Sequence, residues 1–191
     1  ISIGDGGRTN SSTGRTFWVS DYAGSNDRRI GSSDNFIYNN TVFIPSENAA
    51  NNNAPFDHLE IFFRDKTKET YIYNNLIYIS DKAKLKIDTK NDGTLNDWKN
   101  NLFFGNLVID GDSDYEHNGT ELFSNPLLVN PGGTTANDYK LQSSSPALGS
   151  GFLINGSSDI KNYIQNNGGR DYFGNSVSSD SKPNIGAYNG N

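Results

Sequence analysis

The sequence predicts an all-β chain wound as a parallel β-solenoid, on the strength of a repeat, a composition and an alternation. The repeat is "NFIYNNTVFI" at 35–44, which returns as "TYIYNNLIYI" at 70–79 and again, shortened, as "DWKNNLFFG" at 97–105. Aligned on Asn39-Asn40, Asn74-Asn75 and Asn100-Asn101, the copies lie 35 and 26 residues apart. Self-similarity at that period is the signature of solenoids, propellers and arrays. The composition is polar without being charged: 33% of residues are apolar, 20% are charged and the mean hydropathy is -0.69. Asn, Ser, Gly and Thr supply that polarity, and these residues form turns in preference to helices. With 11 Phe and 10 Tyr the chain is nonetheless rich enough in large apolar groups to fold.

The alternation justifies the elements one by one. At period 2, Ile37, Val42 and Ile44 face one way, Ile72, Ile77 and Ile79 repeat them, and Trp98 and Phe103 take the same places in the third copy. Gly105 ends that run. The Asn pair sits where the strand must bend, because Asn tolerates a left-handed backbone and its amide can bond to the Asn one coil above. The polar stretch "SENAANNNAP" at 46–55 reads as a loop inserted into a unit of 25 residues. A further strand is "HLEIFFR" at 58–64, with Leu59, Ile61 and Phe63 on one face. An antiparallel sandwich with Asn turns is the competing architecture, but it gives no reason for one decapeptide to recur.

Residues 1–124 therefore read as coils, and 125–191 as a closing segment of the same domain. A solenoid's last coil exposes an apolar cross-section and open strand edges, so this segment is expected to cover that end. Within it "SDIKNYIQNNGG" has the marks of a short helix, with Ser158 or Asp159 as N-cap and Gly168 beyond its end. Ile1-Ser2-Ile3 reads as a strand with no cap before it, so the chain is expected to be the C-terminal portion of a longer protein. Its open first coil could then pair with the N-terminal part of that protein or with another chain.

The closing segment also carries a resemblance. Asn125-Pro126-Leu127, Tyr139-Lys140-Leu141, Ser145-Pro146-Ala147, Asp171-Tyr172-Phe173-Gly174-Asn175 and Ile185-Gly186-Ala187-Tyr188 follow one another in order. That succession resembles the ending of bacterial secreted right-handed parallel β-helix proteins of the pectate-lyase-like superfamily. Asn125 and Asn130 stand where those proteins usually carry acidic residues, and Asn189 where they end in Glu. The resemblance implies a right-handed parallel β-helix, a secreted, periplasmic or cell-surface location, and a carbohydrate-active protein. Such proteins are mostly polysaccharide lyases, relatives of chondroitinase B and alginate lyase among them, with some glycoside hydrolases. It implies a polysaccharide partner, acidic if the protein is a uronate lyase. The alternative is a non-catalytic β-helix module for glycan binding or adhesion. No Glu-x-Glu calcium motif is present, so no lyase residue is carried across by position.

Charge and composition exclude other classes. A net charge of -6 argues against nucleic acid, whose phosphates call for clustered cations. No apolar run approaches the roughly 20 residues of a membrane span. With no Cys there is no disulfide framework, thiolate metal site or Cys nucleophile.

Three constellations could carry chemistry. Glu60, Phe62 and Arg64 share the polar face of "HLEIFFR", with Lys66 next, a row suited to a sugar bearing an acidic substituent. A solvated strand face with an ordinary ion pair is the plainer reading. Arg8, and then Asp21, Tyr22, Asp27 and Arg28, lie in polar loops of the kind that build sites on a rigid scaffold. There Arg and Tyr would bind, while Asp21 and Asp27 would serve as acid and base. Asp110, Asp112, Asp114 and Glu121 fall at positions 1, 3, 5 and 12 of a calcium loop, although Tyr115 occupies the position of the obligatory Gly. Ca2+ is thus the one cofactor the sequence suggests. The columns Tyr38, Tyr73, Lys99 and Phe43, Tyr78, Phe104 should point outward, either as platforms for pyranose faces or as rings buried under a loop. His58 and His117 are isolated in sequence and support no metal or triad.

Overall fold

The computed structural model describes residues 2–3, 13–19, 33–46, 58–63, 69–89, 96–154 and 169–190. Its strands are β1 (Ser2–Ile3), β2 (Thr13–Val19), β3 (Asn35–Tyr38), β4 (Thr41–Ile44), β5 (His58–Phe63), β6 (Thr70–Tyr73), β7 (Leu76–Ile79), β8 (Leu85–Thr89), β9 (Asn96–Lys99), β10 (Leu102–Phe104) and β11 (Leu107–Ile109). They form three parallel sheets that the chain visits in rotation: sheet A (β1-β4-β7-β10), sheet B (β2-β5-β8-β11) and sheet C (β3-β6-β9). A chain that returns to each sheet one strand further along winds as a parallel β-helix.

Register follows the repeat. Ile37 lies opposite Ile72, and Ile72 opposite Trp98. Val42 and Ile44 match Ile77 and Ile79, and Phe103 continues the column above Ile77. These residues, with Ile61, Phe63, Leu85 and Ile87 from sheet B, fill the interior of the coils. Trp98 is held there between Phe63, at 6.2 Å, and the ring of Tyr115, at 4.7 Å.

The two residues of each Asn pair do different work at the corner between sheets C and A. The first takes the left-handed backbone, with φ of 52° at Asn39, 56° at Asn74 and 49° at Asn100, which Asn accepts more readily than most residues. The second builds a ladder. Asn40 Nδ2 donates to Asn75 Oδ1 at 2.9 Å, and Asn75 Nδ2 donates to Asn101 Oδ1 at 3.0 Å. Spare donors go to the coil below, from Asn75 Nδ2 to Ile37 O at 2.9 Å and from Asn101 Nδ2 to Ile72 O at 2.7 Å. Asn75 and Asn101 are fully buried, so the ladder satisfies polar groups that water does not reach.

The described part of the closing segment packs against the flank of the coils rather than over their end. Leu128, Tyr139, Leu141, Ala147 and Ile185 pack on Phe43, Leu76 and Leu102, the outward side of sheet A. The segment therefore clasps a flank across three coils. The end of the spiral is met instead by 113–123, where Tyr115 abuts Trp98, Leu122 pairs with Leu102 and Phe123 stacks on Phe103 at 6.0 Å. The reason is compositional: β4, β7 and β10 are apolar at consecutive positions, so both faces of sheet A need cover. The first Asn of two corners holds the clasp. Asn74 exchanges hydrogen bonds with the Phe152 backbone, at 3.0 and 2.6 Å, and Asn100 Nδ2 donates to Ser150 O at 2.9 Å. The helix expected around Ser158 and Asp159, ending before Gly168, lies outside the described residues, as does most of the inserted loop.

Asp171 organises the end of the clasp. Its Oδ1 accepts from the backbone N–H of Phe173 and Asn175, each at 2.8 Å, and its Oδ2 from Asn175 Nδ2 at 2.8 Å and Asn189 N at 2.5 Å. Burial alone would raise this carboxyl, but the Asn175 amide and those N–H groups outweigh it and hold it below the usual carboxylate range. A depressed folded pKa means that the contribution is present above the unfolded value of 3.8 and lost as pH falls through the folded one. Asp171→Asn is therefore expected to cost about 1 kcal/mol at pH 7, a figure kept low by solvent access. Urea unfolding repeated at stepwise lower pH should show that deficit shrink as the folded value is passed.

Candidate functional site

Sheet B brings charged side chains together on its outer face. Along β5 and β8 the inward positions are Ile61, Phe63, Leu85, Ile87 and Thr89, all buried. The alternate positions face out, and the register sets Glu60 beside Lys86 and Phe62 beside Asp88. Lys86 in turn stands beside Val108 of β11, while Arg15 and Trp18 of β2 hold the positions matching Glu60 and Phe62. The expectation that Glu60 and Phe62 share the outward face thus holds. Arg64 and Lys66 lie outside the described residues, as do Arg8, Asp21, Tyr22, Asp27 and Arg28.

Lys86 is the centre of the cluster. Its ammonium lies 2.5 Å from Asp110 Oδ2, and 3.8 Å from both Glu60 Oε1 and Asp88 Oδ2. The hydrogen bond to Asp110 pushes the Lys86 pKa up, burial pulls the other way, and the charges of Asp110, Asp88 and Glu60 add to the rise. Glu60 is only 4% exposed although it points outward, so its charge sits where a counter-ion counts for more than on open surface. Two oxygens that are both 3.8 Å from one nitrogen are no farther apart than the carboxyl pairs of glycosidases, about 5 to 9.5 Å.

Sequence reading found Glu60 but missed Lys86 and Asp88. The signal was present in "LKIDT", which follows the second Asn pair and alternates as "LEIFF" does. The register sets Lys86, from the next coil, beside Glu60.

The four residues of the calcium-loop reading have separate surroundings in the structure. Asp110 is engaged with Lys86, and its Oδ1 accepts from Asp112 N at 3.1 Å. Asp114 turns to Thr89 Oγ1 at 2.6 Å and Asn96 Nδ2 at 3.2 Å. Glu121 Oε1 accepts from Tyr115 OH at 3.3 Å. Among the described residues no three Asp, Glu or His side chains converge to hold a metal. Tyr115, at the position where a calcium loop carries Gly, puts its ring into the core.

The outward aromatic columns form as expected, and of the two readings offered for them it is burial that the structure shows. Phe43, Tyr78 and Phe104 are in register and lie under the closing segment. Tyr73 is buried by Phe152, at 5.3 Å, with Lys99 5.2 Å from its ring, and its hydroxyl donates to Asp97. Loop cover, not sugar stacking, accounts for both columns below Tyr38. His117 meets the hydroxyl of Tyr115 at 3.4 Å.

Removing the central cation tests the cluster. Lys86→Met should cost about 1 kcal/mol at pH 7, because it leaves three carboxylates facing one another at a partly solvated surface. A raised lysine pKa implies a contribution present below 10.5 and lost as pH rises through the folded value. The gap between variant and wild type should therefore narrow as pH rises through that folded value. Urea titrations at pH 7 and at stepwise higher pH, in low salt, check it. Compared with known families, curated proteins and solved structures, the chain matches none.

Proposed function

We propose that this chain belongs to a carbohydrate-active β-helix protein and that the outer face of sheet B grips a polysaccharide. The observation that carries the reading is the Lys86 cluster: three carboxylates and one ammonium fixed by register on a flat parallel sheet, with Phe62 and Val108 beside them. A sheet of stacked strands is long in the direction a glycan chain runs, and polar groups held at coil spacing match repeated hydroxyls. The resemblance of its closing segment to the ending of secreted β-helix proteins supports the same class.

Of the chemistries expected, uronate elimination needs a base that can take up a proton near neutral pH. Lys86 is held protonated instead, so a lyase base would have to be another group. Glu60 and Asp88 stand close enough for the two-carboxylate chemistry of hydrolysis, which makes hydrolysis the second reading.

Incubation with a panel of acidic and neutral polysaccharides decides among these. Pull-down onto insoluble glycan measures grip, ultraviolet absorbance reports unsaturated uronate, and a reducing-end assay reports cleavage. Binding that weakens in Glu60→Gln and Lys86→Met supports the face as the site. Absence of binding to every glycan sinks the proposal.

A further inference from the structure

We propose that a cleft at the first Asn corner, on the side of the coil away from sheet B, is a separate site for a single carboxylate-bearing pyranose such as a uronate unit. The cleft has a volume of about 240 Å³ and is walled by Tyr38 and Asn39 on the coil and by Arg170, Asp171 and Tyr172 on the closing segment. Nothing in the proposal for sheet B requires it.

Each wall offers one element of sugar recognition. Tyr172 is 65% exposed, yet its ring is braced edge-on by Phe173 at 5.2 Å. An aromatic ring held open to solvent beside a cleft is a platform for the C–H face of a pyranose. Tyr38 heads the column whose next ring, Tyr73, lies under Phe152, and itself lines the cleft. Asn39 contributes a buried amide oxygen that has no hydrogen-bond partner among the described residues. Its left-handed backbone fixes that amide at the corner. A buried acceptor without a donor is costly, which marks this corner as a strained part of the cleft wall.

The charge pattern selects the acid. Arg170 is anchored by one Nη1 bond to Gly174 O at 2.7 Å, which pins the guanidinium at the rim. Its other donors have no partner among the described residues and can take a carboxylate as a fork. Asp171 is the acidic side chain lining the cleft, and both its oxygens are occupied by Phe173, Asn175 and Asn189. It neither pairs with Arg170 at salt-bridge distance nor has an oxygen to spare for the ligand.

The test is a nuclear magnetic resonance titration of the whole chain with glucuronate, galacturonate, glucose and galactose. The uronates should shift amides at 38–39, 170–174 and 184–189, and bind about ten-fold more tightly than the neutral sugars. Arg170→Gln should abolish that preference, and Tyr172→Ala should weaken all four. Both side chains are exposed, so the melting temperature should not move. Glu60→Gln should leave these shifts unchanged, which separates this site from the sheet B face. Shifts elsewhere, or none, in the wild-type chain would overturn the proposal, as would an Arg170→Gln protein that still prefers uronates.

Discussion

Asn75→Ala is expected to cost about 4 kcal/mol of folding stability, far more than truncating an ordinary polar residue. Asn75 is the middle rung of the ladder and is fully buried. Its Oδ1 accepts from Asn40 Nδ2 at 2.9 Å and Asn40 N at 3.2 Å, and its Nδ2 donates to Ile37 O at 2.9 Å and Asn101 Oδ1 at 3.0 Å. Alanine removes all four bonds and leaves partners on both neighbouring coils without water to replace them. Buried groups orphaned in this way cost about 1–3 kcal/mol each, less what relaxation recovers. Asn39→Gly is the contrast, because Asn39 supplies a left-handed φ of 52° that glycine adopts freely. That change should fall within about 1 kcal/mol of wild type. Equal losses at Asn39 and Asn75, measured by urea titration, would refute the division of labour.

The second large effect is expected at Gly105, which ends β10 at the turn from sheet A to sheet B. Its φ is 106°, and a Cβ there would stand 2.1 Å from Ile79 O and 2.8 Å from Ile79 Cβ. The near atom is backbone of the coil beside it, so no rotamer change relieves the clash. Gly105→Ala should cost about 4 kcal/mol or more, or abolish cooperative unfolding. Gly119 also has positive φ, at 82°, but a Cβ there meets nothing within 4 Å. Its alanine variant should lose only about 1 kcal/mol, the conformational part of the penalty. Similar thermal midpoints for the two variants would mean that the coils do not approach at Gly105.

What the sequence revealed was what depends on near neighbours. The bend at each Asn pair, the alternation that sends Ile37 and Ile72 inward, and the offset between copies are local properties, and the register of Ile37, Ile72 and Trp98 confirms them. The docking of the closing segment depends instead on which of two apolar faces is already full. "TVFI" and "LIYI" show that both faces of sheet A are apolar, but not which partner covers the outer one. The same limit applies to Lys86, which is 26 positions from Glu60 in sequence and one register step away in space. Strand pairing, not proximity in sequence, decides such contacts.

The chain has no cysteine, so paired substitutions test the winding itself. Phe36 lies opposite Tyr71, and Tyr71 opposite Asp97. Adjacent parallel strands sit about 4.8 Å apart, inside the roughly 4.4–6.8 Å span that a disulfide bridges, whereas positions two coils apart do not. Phe36→Cys with Tyr71→Cys, and Tyr71→Cys with Asp97→Cys, should each oxidise to an intramolecular disulfide. Phe36→Cys with Asp97→Cys should stay reduced. A disulfide in that third pair, or none in the first two, would contradict the stacked parallel coil.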